Sequence, residues 1–408
     1  RSRPQRFPQP VPPETSARSI ILPRDGESCT STRMSLALSR FKMLDLSRQL
    51  PGPYCSMLFA DLGMDVLTVY SPTDPMGMGI PLLNRNKRSL TLNLKTAEGQ
   101  EIFHRLLKTA DVVLEGGRPG GAKKLRADYD TVHGINPRVV YCSISGYGQN
   151  GPYQSRVGHD VNYLGFAGVI GVTGAPGGPP AIPGVQIADI GGGALMAATG
   201  ILAALLAREQ TGCGQYVDIG MMDGAFAWQV INLFNLLAQG AEPRWGQTML
   251  SGRYPCYALY ETKDGRWVTV GALEPHFWRN LCQQLDLAAF ADQQFADGAA
   301  LDTVFTRFRA RFKEKTQAEW VAQLADLDIC FGPVATLSEA LDDPQLRHRQ
   351  MMVDVDGRRT LGSPLKLSAT PPTFRSGPPN LGQHTDDVLR GLGFHDDDIA
   401  GLRQRGVV

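Results

Sequence analysis

Ser89-Leu90-Thr91-Leu92-Asn93-Leu94, then the stretch Glu98–Thr109, then Asp111-Val112-Val113-Leu114, decides the fold. In the first piece Leu90, Leu92 and Leu94 alternate with Thr91 and Asn93, the period of two that a strand requires. In the second, Ile102, Leu106 and Leu107 fall on one side, as on a helix. The third is a second short apolar run. The order is therefore strand, helix, strand. Similar runs occur at Phe41–Leu46, Asp65–Tyr70 and Val139–Ile144. Repeated β-α-β order implies a parallel sheet covered by helices, an α/β fold of Rossmann-like type.

Outward from this core the chain changes character. Residues 1–33 carry six arginines, many Pro and Ser, and no sustained periodicity. They read as a disordered or extraneous extension. The large α/β domain is expected over 34–222, and a Gly-rich region, 165–193, leads into a helix around 194–207. Residues 223–252 are less regular and read as a linker. A smaller α+β domain is expected over 253–345. It opens on a hairpin, Tyr257–Glu261 and Arg266–Val270, turned by Lys263-Asp264-Gly265. Thr316–Glu319 is a capping box that starts a helix. Another hairpin turns at Asp356-Gly357, and 381–403 reads as a final helical piece.

Composition narrows the function. The 408 residues hold 41 Lys plus Arg and 40 Asp plus Glu, a net charge of +1. That balance argues against a nucleic-acid or anionic-membrane partner. The seven cysteines are dispersed without a C-x-x-C, so a reducing compartment, the cytoplasm, is expected. The other reading is organelle import through the N-terminal extension. The longest weakly polar stretch, Gly193–Ala207, is shorter than the roughly 20 residues a membrane span needs and reads as a buried helix. The seven histidines show no metal-ligand spacing, so no metal is expected. There is no Walker sequence and no G-x-S-x-G. Gly146-Tyr147-Gly148-Gln149-Asn150-Gly151 follows a strand, but Pro152 and loop-like residues come next, which argues against a dinucleotide site.

Two stretches concentrate chemistry. Gly158-His159-Asp160-Val161-Asn162-Tyr163 packs an acid/base side chain among hydrogen-bonding groups. Ile187–Gly193 places Asp189 after an apolar run and just before glycines and a helix. Asp189 reads either as the helix cap or as a site residue, with bare glycine backbone letting a ligand approach. Asn84–Ser89 is basic, and so is Arg118; these charges are either solvated or bind phosphates.

Taken in order, further segments resemble one family. They are Leu44–Ser47, Pro51–Tyr54, Ala60–Gly63, Asn86–Ser89 with Leu92–Lys95, Arg118–Gly120, Ser145–Gln149, Thr211–Gln215 and Leu381–Thr385. The set, spanning roughly 40 to 395, resembles the class III CoA-transferase family, which contains acyl-CoA transferases and α-methylacyl-CoA racemases. Gly158–Tyr163 and Gly271-Ala272-Leu273-Glu274-Pro275 are similar to the racemase branch. The resemblance implies lipid metabolism and epimerisation of 2-methylacyl-CoA thioesters by proton transfer through an enolate. The alternative is CoA transfer through an acyl anhydride on Asp189. By resemblance His159 serves one face of the α-carbon, Asp189 the other, and Glu274 stands beside Asp189 across the interface of an interlocked homodimer. Backbone N–H groups near Asp189 would meet the thioester oxygen. Coenzyme A enters as part of the substrate, with no permanently bound cofactor. The residues implied for holding it are Arg88, Leu92, Asn93, Leu94, Lys95, Arg118, Gly158, Asp160, Val161, Asn162 and Tyr163. Two features depart from the family: the second strand ends Tyr70-Ser71-Pro72 where a basic residue often follows, and Gly116-Gly117 replaces a bulkier pair.

Overall fold

Six short strands form one parallel sheet: β1 Lys42–Asp45, β2 Asp65–Tyr70, β3 Arg88–Thr91, β4 Val112–Glu115, β5 Val140–Ser145 and β6 Tyr216–Gly220. Their spatial order is β3-β2-β1-β4-β5-β6. The computed structural model describes residues 36–74 and 79–408; the expectations for 1–33 lie outside the described residues. Strand order reverses between β1 and β4, and such a switch point opens a crevice beyond the strands' carboxyl ends.

The sheet is buried on both faces because alternate side chains point to opposite sides. Met43, Val66, Val112, Leu114, Val140, Cys142 and Ile144 join one core, with the helices Pro51–Asp61 and Ile187–Thr211. Leu44, Leu67, Val69, Val113 and Tyr141 join the other, with the helix Ala97–Leu107. Thr96 caps that helix by accepting a hydrogen bond from the Gly99 N–H.

A second, antiparallel sheet orders β7 Tyr257–Glu261, β8 Trp267–Gly271 and β9 Phe331–Pro333. Its hairpin turns at Gly265, whose φ is +74°. The core beneath it is aromatic. Trp278 stacks on Phe308 with centroids 4.8 Å apart, and the Trp278 and Trp320 indole N–H groups donate to the carbonyls of Phe290 and Phe312. The Thr316–Glu319 box caps the helix Gln317–Leu324. β10 Met352–Val355 and β11 Arg358–Leu361 form the last hairpin, with Asp356 and Gly357 both left-handed, as a two-residue type I′ turn requires.

The chain then runs back to the parallel sheet. The Asn86 N–H donates to Ser376, the His384 N–H to Ser89, and the Asn93 N–H to Val407. Val388, Leu389, Ile399, Leu402 and Val407 complete the second core.

Three expectations are corrected. The run Ser89–Leu94 is a strand only to Thr91, because from Asn93 the backbone pairs with residue 407 instead of β2. Residues 223–252 are not simply a linker: they begin inside the helix Met221–Ala227 and carry the helix Val230–Gln239. The helix expected at 194–207 runs from Ile187 to Thr211; at 25 residues it is long and apolar enough, by length and composition, to cross a membrane. In the fold its Arg208, nearly buried, reaches Asp111 before β4 at 2.9 Å.

A buried ion pair joins the end of helix Pro51–Asp61 to the approach to β3. Arg85 meets Asp61 through two hydrogen bonds of 2.9 and 2.6 Å, both side chains 1% exposed. Removing one partner strands the other charge in the interior. Arg85→Ala is expected to cost about 3–5 kcal/mol in urea unfolding, and a loss below about 1 kcal/mol would show that the pair is not needed.

Candidate functional site

A cleft of about 690 Å³ opens at the switch point. Arg48, Gln49 and Pro51 line it from beyond β1, Gly116–Pro119 from beyond β4, and Ile144–Tyr147 from the end of β5. Gln154, Arg156–His159, Asn162, Tyr163, Asp189 and Met221 complete the walls. The structure thus brings His159 and Asp189, 30 positions apart, into one cleft.

His159 immediately precedes the helix Asp160–Phe166 and is exposed. The Asn162 side-chain oxygen accepts its backbone N–H at 3.0 Å, which fixes the chain's entry into the helix. Tyr163 is buried and its hydroxyl donates to the Gly158 carbonyl at 2.5 Å. Burial, with Asp189 nearby, pushes that phenol up to about 12.

Asp189 does not cap its helix. It lies in the first turn of Ile187–Leu195, which is wound as a π-helix and continues directly into Met196–Thr211. Such windings are frequent at functional sites. Burial, seconded by the Asp160 carboxylate and opposed by the His159 ring, raises the Asp189 carboxyl from 3.8 to about 6. Its N–H is already given to Asp160 Oδ1 at 2.9 Å, so that N–H is not free for a thioester oxygen. Asp160 therefore acts on Asp189 through both its charge and its hydrogen bond, where the resemblance pointed to Glu274. Glu274 is exposed at the start of the helix Pro275–Gln284, beside Cys330, and one chain does not bring it to the cleft.

The glycines after Asp189 face protein. A Cβ on Gly192 would stand 2.6 Å from the Met221 carbonyl oxygen and 2.8 Å from the Ala225 nitrogen; one on Gly191 would meet the Trp228 ring at 2.5 Å. They exist for close helix packing, which corrects the reading of a bare backbone awaiting a ligand.

The residues implied for coenzyme A divide. Arg118 lines the cleft, and among the described residues no carboxylate pairs with it. Gly158, Asn162 and Tyr163 line it as well. Asp160 is held against Asp189, and Val161 is 39% exposed. Arg88 lies outside the cleft and gives two hydrogen bonds to Asp65. Leu92 and Leu94 are corrected as side-chain contacts: at 1% and 7% exposure they belong to the core. Asn93 hydrogen-bonds Gly406 and the Lys95 N–H; Lys95 is exposed and also outside the cleft. Arg48, Gln49, Ser145, Tyr147 and Arg156 were missed. The reversal of strand order could have found the first four, because they follow the ends of β1 and β5.

The raised carboxyl has a consequence for stability. Folded Asp189 keeps its proton to about pH 6, whereas in the unfolded chain it loses it near 3.8. Across that window the unfolded state binds fewer protons, so stability falls as pH rises and then levels off. Asp189→Asn is expected to flatten this decline by about 1–2 kcal/mol, the full shift being discounted for partial exposure. Urea unfolding at several pH values between about 4 and 7 measures it, and parallel curves for the two proteins would contradict it.

The chain is 34% identical over 383 residues to the alpha-methylacyl-CoA racemase of Homo sapiens, covering 91% of this chain and 98% of that one. It is 30% identical over 400 residues to the succinyl-CoA:glutarate CoA-transferase of Homo sapiens, covering 91% and 90%. Among solved structures, a CAIB/BAIF family protein from Brucella suis superposes with a TM-score of 0.77 at 30% identity, covering 88% of this chain and 100% of that one. The family model matches residues 38–385, and the chain belongs to CoA-transferase family III, an enzyme family of CoA-transferases and racemases.

Proposed function

We propose that this enzyme interconverts the two configurations of 2-methylacyl-CoA thioesters. The observation that carries this reading is the pairing of His159 and Asp189 in one cleft. Inversion beside a thioester needs a group to take the α-proton on one face and a group to return one on the other. A carboxyl held up to about 6 can hold or release a proton near neutral pH, and an imidazole is the commonest partner for such work. In one direction Asp189 removes the proton and protonated His159 returns one; in the other the roles exchange. The thioester carbonyl carries the negative charge between the two transfers. Arg118 is suited to the phosphates of coenzyme A.

The test is incubation with a single enantiomer of a 2-methylacyl-CoA in deuterated water. α-Deuterium appearing with loss of chirality supports the reading. Coenzyme A passing to an added free acid, without exchange at the α-carbon, replaces it with CoA transfer. His159→Ala is expected to slow racemisation by about 10²–10⁴-fold in a circular-dichroism or chiral-chromatography assay. A normal rate in that variant would defeat the assignment at His159.

The working unit we infer is a homodimer in which Glu274 of the partner subunit stands beside Asp189. In support, the helix Val230–Gln239 buries none of its residues within one chain. Val230, Ile231, Phe234 and Leu237 on it are 49–78% exposed, more contiguous apolar surface than a monomer usually shows. Sedimentation equilibrium is expected to give twice the chain mass at micromolar concentration, and a fully active monomer would refute the arrangement.

A further inference from the structure

Buried hydroxyls in this fold generally have partners. The Tyr141 hydroxyl donates to the Ala127 carbonyl, that of Tyr163 to Gly158, and that of Tyr216 to Ser143 Oγ. Two hydroxyls of cleft-lining residues do not: Ser145 Oγ and the Tyr147 hydroxyl are buried with no hydrogen-bond partner among the described residues. Their residues are only 5% and 8% exposed, and both line the cleft with His159 and Asp189. A buried polar group left unsatisfied is costly, so native proteins rarely keep one without a use.

The two groups are held firmly. Ser145 is the last residue of β5. The Tyr147 ring meets those of Tyr153, Tyr163 and Phe166 edge-on, with centroids 5.7, 5.1 and 5.8 Å away. Its hydroxyl lies 3.0 Å from where a Cβ on Gly158 would stand. The same Cβ would stand 2.8 Å from the Tyr163 ring, so the absent side chain at Gly158 lets the chain pack closely against both tyrosines, one residue before His159.

We propose that Ser145 and Tyr147 contact the substrate directly, donating hydrogen bonds to a carbonyl oxygen of the bound acyl-CoA. This rests on the acyl-CoA reading of the cleft. A neutral hydroxyl suits a neutral carbonyl oxygen, whereas the phosphates suit Arg118. An acyl-CoA brings two kinds of such oxygen into the cleft, that of the thioester and those of the pantetheine amides. The thioester oxygen gains negative charge when the α-proton leaves, so donors to it accelerate the reaction. Donors to an amide oxygen strengthen binding alone. The segment Gly146–Gly151, which resembles a nucleotide loop without its helix, then serves to carry Tyr147 beside Ser145.

Ser145→Ala and Tyr147→Phe test this, with isobutyryl-CoA and free coenzyme A as calorimetric probes and α-proton exchange of isobutyryl-CoA as the rate. Both variants are expected to melt no lower than the parent, since each removes a polar atom that has no partner among the described residues. Isobutyryl-CoA is expected to bind about three- to tenfold more weakly. If free coenzyme A binds normally and exchange slows more than binding weakens, the acceptor is the thioester oxygen. If both probes weaken alike with exchange unchanged at saturation, it is a pantetheine amide. Parent-like binding and exchange in both variants would overturn the proposal, as would a lowered melting temperature with binding and exchange intact. A chain that binds isobutyryl-CoA through these hydroxyls yet never racemises a chiral substrate refutes the racemase reading and leaves this one standing. A parent chain that does not bind isobutyryl-CoA refutes both.

Discussion

Between the helix that carries Asp189 and the helix Met221–Ala227 there is no side chain at the point of contact. Gly192 and Gly224 meet backbone to backbone, so that a Cβ on Gly224 would fall 2.4 Å from the Gly192 Cα. The rest of the site depends on that approach. It sinks the segment Ala188–Ala194 beside Met221 and Ala225 in the first core. That depth dries the Asp189 carboxyl and keeps it protonated to about pH 6. The glycines thus act on the cleft through packing: they set how far the Asp189 carboxyl stands from water.

The cleft's floor is secured by polar groups that never reach it. Lys87 is fully buried and donates to the Pro53 carbonyl and Ser56 Oγ, at 3.0 and 2.8 Å. Burial pushes its ammonium down to about 8, partly offset by Asp45. Ser56 in turn donates to Asp45 at the end of β1. These bonds hold the start of the helix Pro51–Asp61, and Pro51 is a wall of the cleft. Interior charges near the site are committed to architecture, while Arg118 lines the cleft with no carboxylate partner among the described residues. A net charge of +1 conceals this division, which lies in pairing and not in number.

The alternation of Leu90, Leu92 and Leu94 and the helical spacing of Ile102, Leu106 and Leu107 were enough to read a parallel α/β sheet. Local turn chemistry was equally legible: Asp264-Gly265, Asp356-Gly357 and the Thr316–Glu319 box all stand where expected. The cleft was legible in part. His159 and Asp189 stood out as chemistry beside glycines, but their meeting is a tertiary fact. What the sequence hid depends on partners distant along the chain. Leu92 and Leu94 look like part of a ligand segment until residues 388–407 cover them. Gly191–Gly193 look like a ligand's approach until Trp228 and Met221 fill it. Asp160 looked like one polar residue among several, because its grip on the Asp189 N–H spans 29 positions. Ser145 and Tyr147 stood in a recognisable segment at the end of a strand, but their lack of partners did not show, since an unsatisfied hydroxyl is visible only when every neighbour is known.

The return of the chain to the sheet also dictates when the protein can finish folding on the ribosome. The outer face of β3 and the helix Ala97–Leu107 is closed by Val388, Leu389, Ile399, Leu402 and Val407. Those residues are synthesised about 300 positions after the surface they cover. Contacts of such separation form late. The residues of the second sheet and its aromatic core are encoded wholly inside that interval, so they too precede the segment that closes the larger sheet. A nascent chain of this design therefore leaves that face uncovered until the closing segment has left the exit tunnel.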